Sequence, residues 1–211
     1  MVTLPSTLLS ETVLTDCIQK TSNPFMKDHL GRTPLHLAVC DGPVENIKML
    51  IAAGHPVNIK SRDGFTPLHL AAFLGRTPVL LILLQNGADP GMIKDNGNSA
   101  LHIASRELRV EPVRTLLEKG LDPLAKNFDR LTPRQLAKTQ KHVRASDRYR
   151  YDQVSSLLKN AELKKTSLQA LILATLDKEE KSATQGQEEE SHDDDDDHMF
   201  DAPRAKRLRH D

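Results

Sequence analysis

Apolar residues in the first two thirds of the chain recur at helical spacing in short bursts rather than long runs. Leu35 and Ala38 stand at i, i+3, and Ile47, Leu50 and Ile51 at i, i+3, i+4. Each burst therefore predicts a short helix with one buried face. Breakers separate the bursts. Thr33 precedes Pro34 and Thr66 precedes Pro67. At such a step the hydroxyl can cap a helix, and proline fills the first helical position without losing a bond. Gly54 ends the second burst with a residue suited to a left-handed helix terminus. The stretch from Val57 to Gly64 is short and carries Asn58, Asp63 and Gly64, as a turn or hairpin requires.

This unit returns every 33 residues. Thr33-Pro34-Leu35-His36-Leu37-Ala38 comes back as Thr66-Pro67-Leu68-His69-Leu70-Ala71 and then as Ser99-Ala100-Leu101-His102-Ile103-Ala104. A degraded copy follows, Thr132-Pro133-Arg134-Gln135-Leu136-Ala137. Gly54, Gly87 and Gly120 keep the same period, and so do Gly31, Gly64 and Gly97. Across about residues 25–160 these motifs resemble the ankyrin repeat. The resemblance implies an all-α solenoid of helix-turn-helix units with β-hairpin loops. It also implies protein binding on a concave face and, typically, no enzymatic activity. The expected units are about 28–60, 61–93, 94–126 and 127–162, within a repeat region of 25–162.

The ends depart from the repeat. Residues 1–24 carry a stripe of Leu9, Val13, Leu14, Cys17 and Ile18 without the Thr-Pro-Leu-His signature, as an N-terminal capping helix would. Arg134 and Gln135 make the fourth unit more polar, as suits a final repeat. Its second helix is late: paired leucines expected at 149–150 stand at Leu157 and Leu158, so about eight residues are inserted. Leu108 replaces the glycine of the two preceding units, which predicts an altered turn there. Residues 163–176 read as a C-terminal capping helix, with a Thr166/Gln169 capping box and a Leu168, Leu171, Ile172, Leu176 stripe. From 177 to 211 too little apolar surface remains to order the chain, which predicts a disordered acidic tail.

Charge changes this picture. The 29 basic and 29 acidic side chains sum to zero, yet they are segregated. Residues 1–125 carry 12 of each sign, residues 126–176 carry 11 basic and 4 acidic, and residues 177–211 carry 6 basic and 13 acidic. Five Phe, two Tyr and no Trp leave the core to Leu, Ile, Val and Ala. Cys17 and Cys40 are too few for a disulfide framework and match no zinc spacing. The first ten residues lack the basic start and apolar run of a secretory signal, and no run is long enough to span a membrane. A cytosolic or nuclear protein with no membrane partner is the expectation.

His36, His69 and His102 recur once per unit and read as structural rather than as metal ligands, because the repeat already accounts for them. Phosphate-loop, zinc-protease and nucleophile-elbow motifs do not occur in the sequence, so no enzyme, cofactor or metal is expected. What the family implies for hairpin tips and first helices selects Leu30, Arg32, Arg62, Phe65, Phe73, Leu74, Asn98, Arg106 and Phe128 as partner-binding positions. Phe65, Phe73 and Leu74 stand out, either as contact hot spots or as packing between repeats. In the insertion, Arg148, Tyr149, Arg150 and Tyr151 interleave charge and rings. One short cluster is weak evidence for nucleic acid; an acidic protein partner or the chain's own tail fits it better, and its first reading is a solvated basic loop. Arg204, Lys206, Arg207 and Arg209 follow Pro203 and resemble a nuclear-import signal that an import receptor would read.

The expected function is a nuclear regulator or adaptor, shuttling with the cytoplasm left open. It would be a monomer within a hetero-complex, such as a regulatory subunit or inhibitor of a kinase or transcription factor. The alternative is an acidic-tailed escort chaperone for a basic nuclear cargo such as a ribosomal protein or histone.

Overall fold

The computed structural model describes the backbone of residues 26–139 and 147–189, and side chains as far as residue 176. Among the described residues there are eight helices and no strands. They are α1 (Pro34–Asp41), α2 (Val44–Ala52), α3 (Pro67–Leu74), α4 (Thr77–Gln85), α5 (Ala100–Arg106), α6 (Val110–Glu118), α7 (Pro133–Lys138) and α8 (Arg148–Glu189). First helices pack on first helices in the order α1, α3, α5, α7, and second helices stack alongside as α2, α4, α6. This is the helix-turn-helix solenoid that the 33-residue period implies. Its core is aliphatic, built from Leu35, Ile47, Leu50, Leu80, Leu83, Leu101 and Leu116 with alanines at the tight crossings. The expected capping segment 1–24 and residues 140–146 lie outside the described residues.

The first helices begin alike because their signatures build the same cap. Backbone N–H groups of Thr33, Thr66 and Ser99 donate to Nδ1 of His36, His69 and His102 at 3.1, 3.2 and 3.4 Å. An N–H can only donate, so each Nδ1 accepts and each Nε2 carries the proton. That Nε2–H donates to a carbonyl farther along the chain: Phe65 at 3.0 Å and Leu131 at 3.1 Å in the following unit, and Met92 at 3.0 Å at the end of His69's own unit. One side chain thus caps its own helix and ties down its neighbour. In α7 Gln135 takes over the first task, accepting from the Thr132 N–H at 2.9 Å.

The loops are tight turns rather than long hairpins. A backbone hydrogen bond closes each one, from Asp28 to Arg32, Ser61 to Phe65, Lys94 to Asn98 and Asn127 to Leu131. Only Ile93 and Ser99 form a β-bridge among the described residues. Successive tips touch, with the Arg62 N–H donating to the Leu30 carbonyl at 2.9 Å and that of Phe128 to Asn96 at 3.3 Å. Gly31, Gly64 and Gly97 allow this approach. Their φ values are +71, +75 and +78°, and a Cβ on Gly97 would lie 2.7 Å from the Phe128 backbone nitrogen. The fourth tip holds Arg130 at φ +60°, and Arg130 is exposed.

The expectation about the Leu108 turn is corrected. Leu108 does not alter its turn: it keeps the left-handed conformation of Gly75, at φ +54° against +79°. The altered turn is at Gly42, whose φ of −77° and ψ of 155° are extended. Pro43 follows it, and a proline pushes the preceding residue into that region. Residues 163–176 belong to α8, which runs unbroken from Arg148 to Glu189. Its first part serves as the second helix of unit four, burying Val154 and Leu158 completely. Arg134 and Glu162 pair at 3.0 Å, and Lys165 and Asp122 pair at 2.5 Å. The chain divides into two compact units after Lys165. In the second, Leu168, Leu171, Ile172 and Leu176 are exposed, and the helical backbone extends to Glu189. No helix among the described residues is long and apolar enough to cross a membrane.

Candidate partner-binding surface

The hairpin tips and first helices share a scaffold in which side chains bridge one repeat to the next. Arg76 opens α4, and its guanidinium donates to the carbonyls of Val39 at 2.8 Å and Gly42 at 2.6 Å, closing the end of α1. One period later Arg109 Nε donates to the Phe73 carbonyl at 2.9 Å. These carbonyls have no intrahelical donor, so the next repeat supplies one. The sequence reading missed this pair, although their 33-residue spacing was the available signal.

On this scaffold the phenylalanines form a cluster. Phe65 is half-buried, packed edge-on against Phe73 with ring centroids 6.3 Å apart, and against His69 at 6.5 Å. Lys94, from the following unit, sets its Nζ 4.2 Å from the Phe65 ring centroid, a cation–π contact. Phe73 stays 38% exposed, so the cluster unites the two readings of these residues: it packs between repeats and presents one open ring. Leu74 beside it is half-buried. Phe128 is 69% exposed, seated over Gly97 at the last tip contact. Leu30, Arg62 and Arg106 are exposed as well.

Two of the selected positions are committed to the scaffold. Asn98 is buried, and its Oδ1 accepts from the Asn127 side-chain amide at 2.8 Å, so it joins two hairpins. Arg32 is half-buried and forked onto Asp28, with Nε and Nη2 both 2.8 Å from Oδ2. It stiffens its own turn.

The reading of residues 148–151 as a loop is also corrected. Arg148, Tyr149, Arg150 and Tyr151 form the first turn of α8, so residues adjacent in sequence point in successive directions around the axis. Arg148, Tyr149 and Arg150 are exposed, and Tyr151 is half-buried. Arg204, Lys206, Arg207 and Arg209 lie outside the described residues.

Burial governs the titration of the histidines. It pushes all three below their usual value, His69 to about 4, with the hydrogen bonds to Phe65, Met92 and Leu131 opposing. For His69 the nearby cations Lys60 and Lys94 push in the same direction as burial. All three imidazoles are therefore neutral at pH 7, with both nitrogens occupied by the hydrogen bonds described above. Burial likewise raises the Cys40 thiol, which keeps it protonated at neutral pH.

The family described as ankyrin repeats (3 copies) matches residues 9–94, and the family described as ankyrin repeat matches residues 96–128. Together they cover more than half of the chain, which belongs to the ankyrin-repeat family. Ankyrin repeats are protein-interaction modules, and proteins built from them are typically non-enzymatic scaffolds. The first match begins at residue 9, inside the segment read from sequence as a cap. No curated protein matches the chain significantly.

Proposed function

We propose that this protein is a non-enzymatic regulator or adaptor that binds another protein through its hairpin tips and first helices, and that it acts in the nucleus. The carrying observation is exposed Phe73 and Arg106 at the ends of first helices, with exposed Arg62 and Phe128 on turns that are hydrogen-bonded from repeat to repeat. Aromatic and arginine side chains presented from a preorganised backbone are where interface energy concentrates. The nuclear part rests on the basic cluster Arg204 to Arg209.

The test is affinity capture from nuclear extract with wild type and the Phe73→Ala/Phe128→Ala variant, each checked for an unchanged thermal transition. Loss of the captured protein supports the surface, and retention overturns it. Retention combined with loss on deleting residues 177–202 would transfer the function to the acidic tail, as an escort chaperone requires. For the import signal, Lys206→Ala/Arg207→Ala should leave a fusion too large to diffuse in the cytoplasm. An unchanged nuclear signal rejects it.

A further inference from the structure

Residues 166–176 of α8, Thr-Ser-Leu-Gln-Ala-Leu-Ile-Leu-Ala-Thr-Leu, contain no charged side chain, and every one of them is exposed. Leu168, Leu171, Ile172 and Leu176, at i, i+3, i+4 and i+8, share one face and are 58, 62, 49 and 50% exposed. A charge-free aliphatic stripe standing in water on a continuous helix is the signature of a covered face, since its burial is worth about 25 cal/mol per Å².

The charges around the stripe indicate what covers it. Lys159, Lys164 and Lys165 precede it, and Asp177, Glu179 and Glu180 follow, with Lys178 among them. Lys165 is engaged by Asp122, which leaves Lys159 and Lys164 as the free basic flank. A second copy of the same helix, laid antiparallel about Ile172, brings its Glu180 level with Lys164 and its Lys164 level with Glu180. Both ends are matched at once, and the two helix dipoles oppose. A parallel pair would set Lys164 on Lys164 and Glu180 on Glu180. An unrelated helix would have to match both flanks by coincidence, whereas a two-fold pairing satisfies them by symmetry.

We propose that the protein self-associates through an antiparallel pairing of residues 164–180 of α8, in place of the monomer expected from sequence. The stripe from Leu168 to Leu176 spans only ~12 Å at 1.5 Å per residue, so the dimer is weak and concentration-dependent.

Sedimentation equilibrium of the full chain at low salt tests this, with an expected dissociation constant on the order of 10 μM. Leu168→Glu/Ile172→Glu should weaken association at least tenfold. The thermal transition of the repeats should not move, because both residues are exposed. Lys164→Glu should weaken it as well, and Lys164→Glu/Glu180→Lys should restore it, because only antiparallel pairing makes those positions face each other. A monomer at every concentration overturns the proposal. So does a dimer indifferent to Leu168→Glu/Ile172→Glu, or one unaffected by Lys164→Glu. Co-sedimentation with phosphatidylserine vesicles in the absence of dimer would reassign the stripe to a lipid surface and overturns it equally.

Discussion

Leu108 and His69 show how single residues carry strain and pH dependence in this fold. Leu108 holds φ +54°, a conformation that costs a residue with a Cβ about 1–2 kcal/mol relative to glycine. It is half-buried, so little packing offsets that cost. Leu108→Gly is therefore expected to raise stability by about 1 kcal/mol, read as a shifted urea midpoint at unchanged slope. His69 works in the opposite sense. Its folded value of about 4 lies below the ordinary 6.5, so the unfolded chain takes up a proton first as pH falls. The stabilisation is complete above pH 6.5 and is lost progressively down to about 4. From pH 7 to 5 the loss from His69 alone should be about 2 kcal/mol, and His36 and His102 add to it in the same direction. The shifted carboxylates Asp28 and Asp122 lie below 3.8 and do not contribute in this window. Urea titrations at the two pH values, with His69→Gln as the comparison, measure it: a slope that the variant does not flatten would refute this assignment.

Between elements, stability comes from side chains that finish a neighbour's helix. Removing the Arg76 guanidinium leaves the carbonyls of Val39 and Gly42 without their donor, so Arg76→Ala should cost about 1–3 kcal/mol. Gln135 shows which part of the histidine's work is local. It reproduces the cap on α7, and among the described residues no further hairpin follows for a second hydrogen bond to reach. The same holds for Arg130: a Cβ at the equivalent Gly97 would meet Phe128 of the next tip, whereas no further tip follows Arg130 among the described residues. Along α8 one substitution separates core from surface. Leu158 is fully buried, and Leu158→Ala should cost about 2–5 kcal/mol. Leu168 is 58% exposed, and Leu168→Ala should leave the folding transition within ~0.5 kcal/mol while weakening self-association. Equal effects from the two would reject the division of the helix.

For the whole molecule, repeats that touch only their neighbours make stability a sum of units and interfaces. A chain ended after Lys165 keeps Val154, Leu158 and both ion pairs, and its thermal transition should match the full length. A chain ended after Tyr151 loses Val154 and Leu158 and should open unit four well below that temperature, visible as an early calorimetric shoulder. Charge acts at this scale too. Self-association that depends on Lys164 and Glu180 should weaken from low salt to 0.15 M, where screening reaches about 8 Å.

The amino-acid order by itself determined the architecture, because an ankyrin unit is a local object. A Thr-Pro step, a capping histidine and a closing glycine act within one or two turns, and a period of 33 states that each unit meets a copy of itself. Much of the candidate surface was legible for the same reason, since tip and first-helix positions recur with the period. The tertiary structure alone decided the rest, where the physics depends on what lies across a repeat boundary. Asn98 became a buried link only because Asn127 stands opposite, and Arg76 became a clamp only because α1 ends beneath it. Phe65 and Phe73 resolved into one half-buried cluster through their contact with each other and with Lys94. Hydrophobic period located the stripe at Leu168 to Leu176 but could not say whether it was buried, since periodicity reports a face and not what covers it.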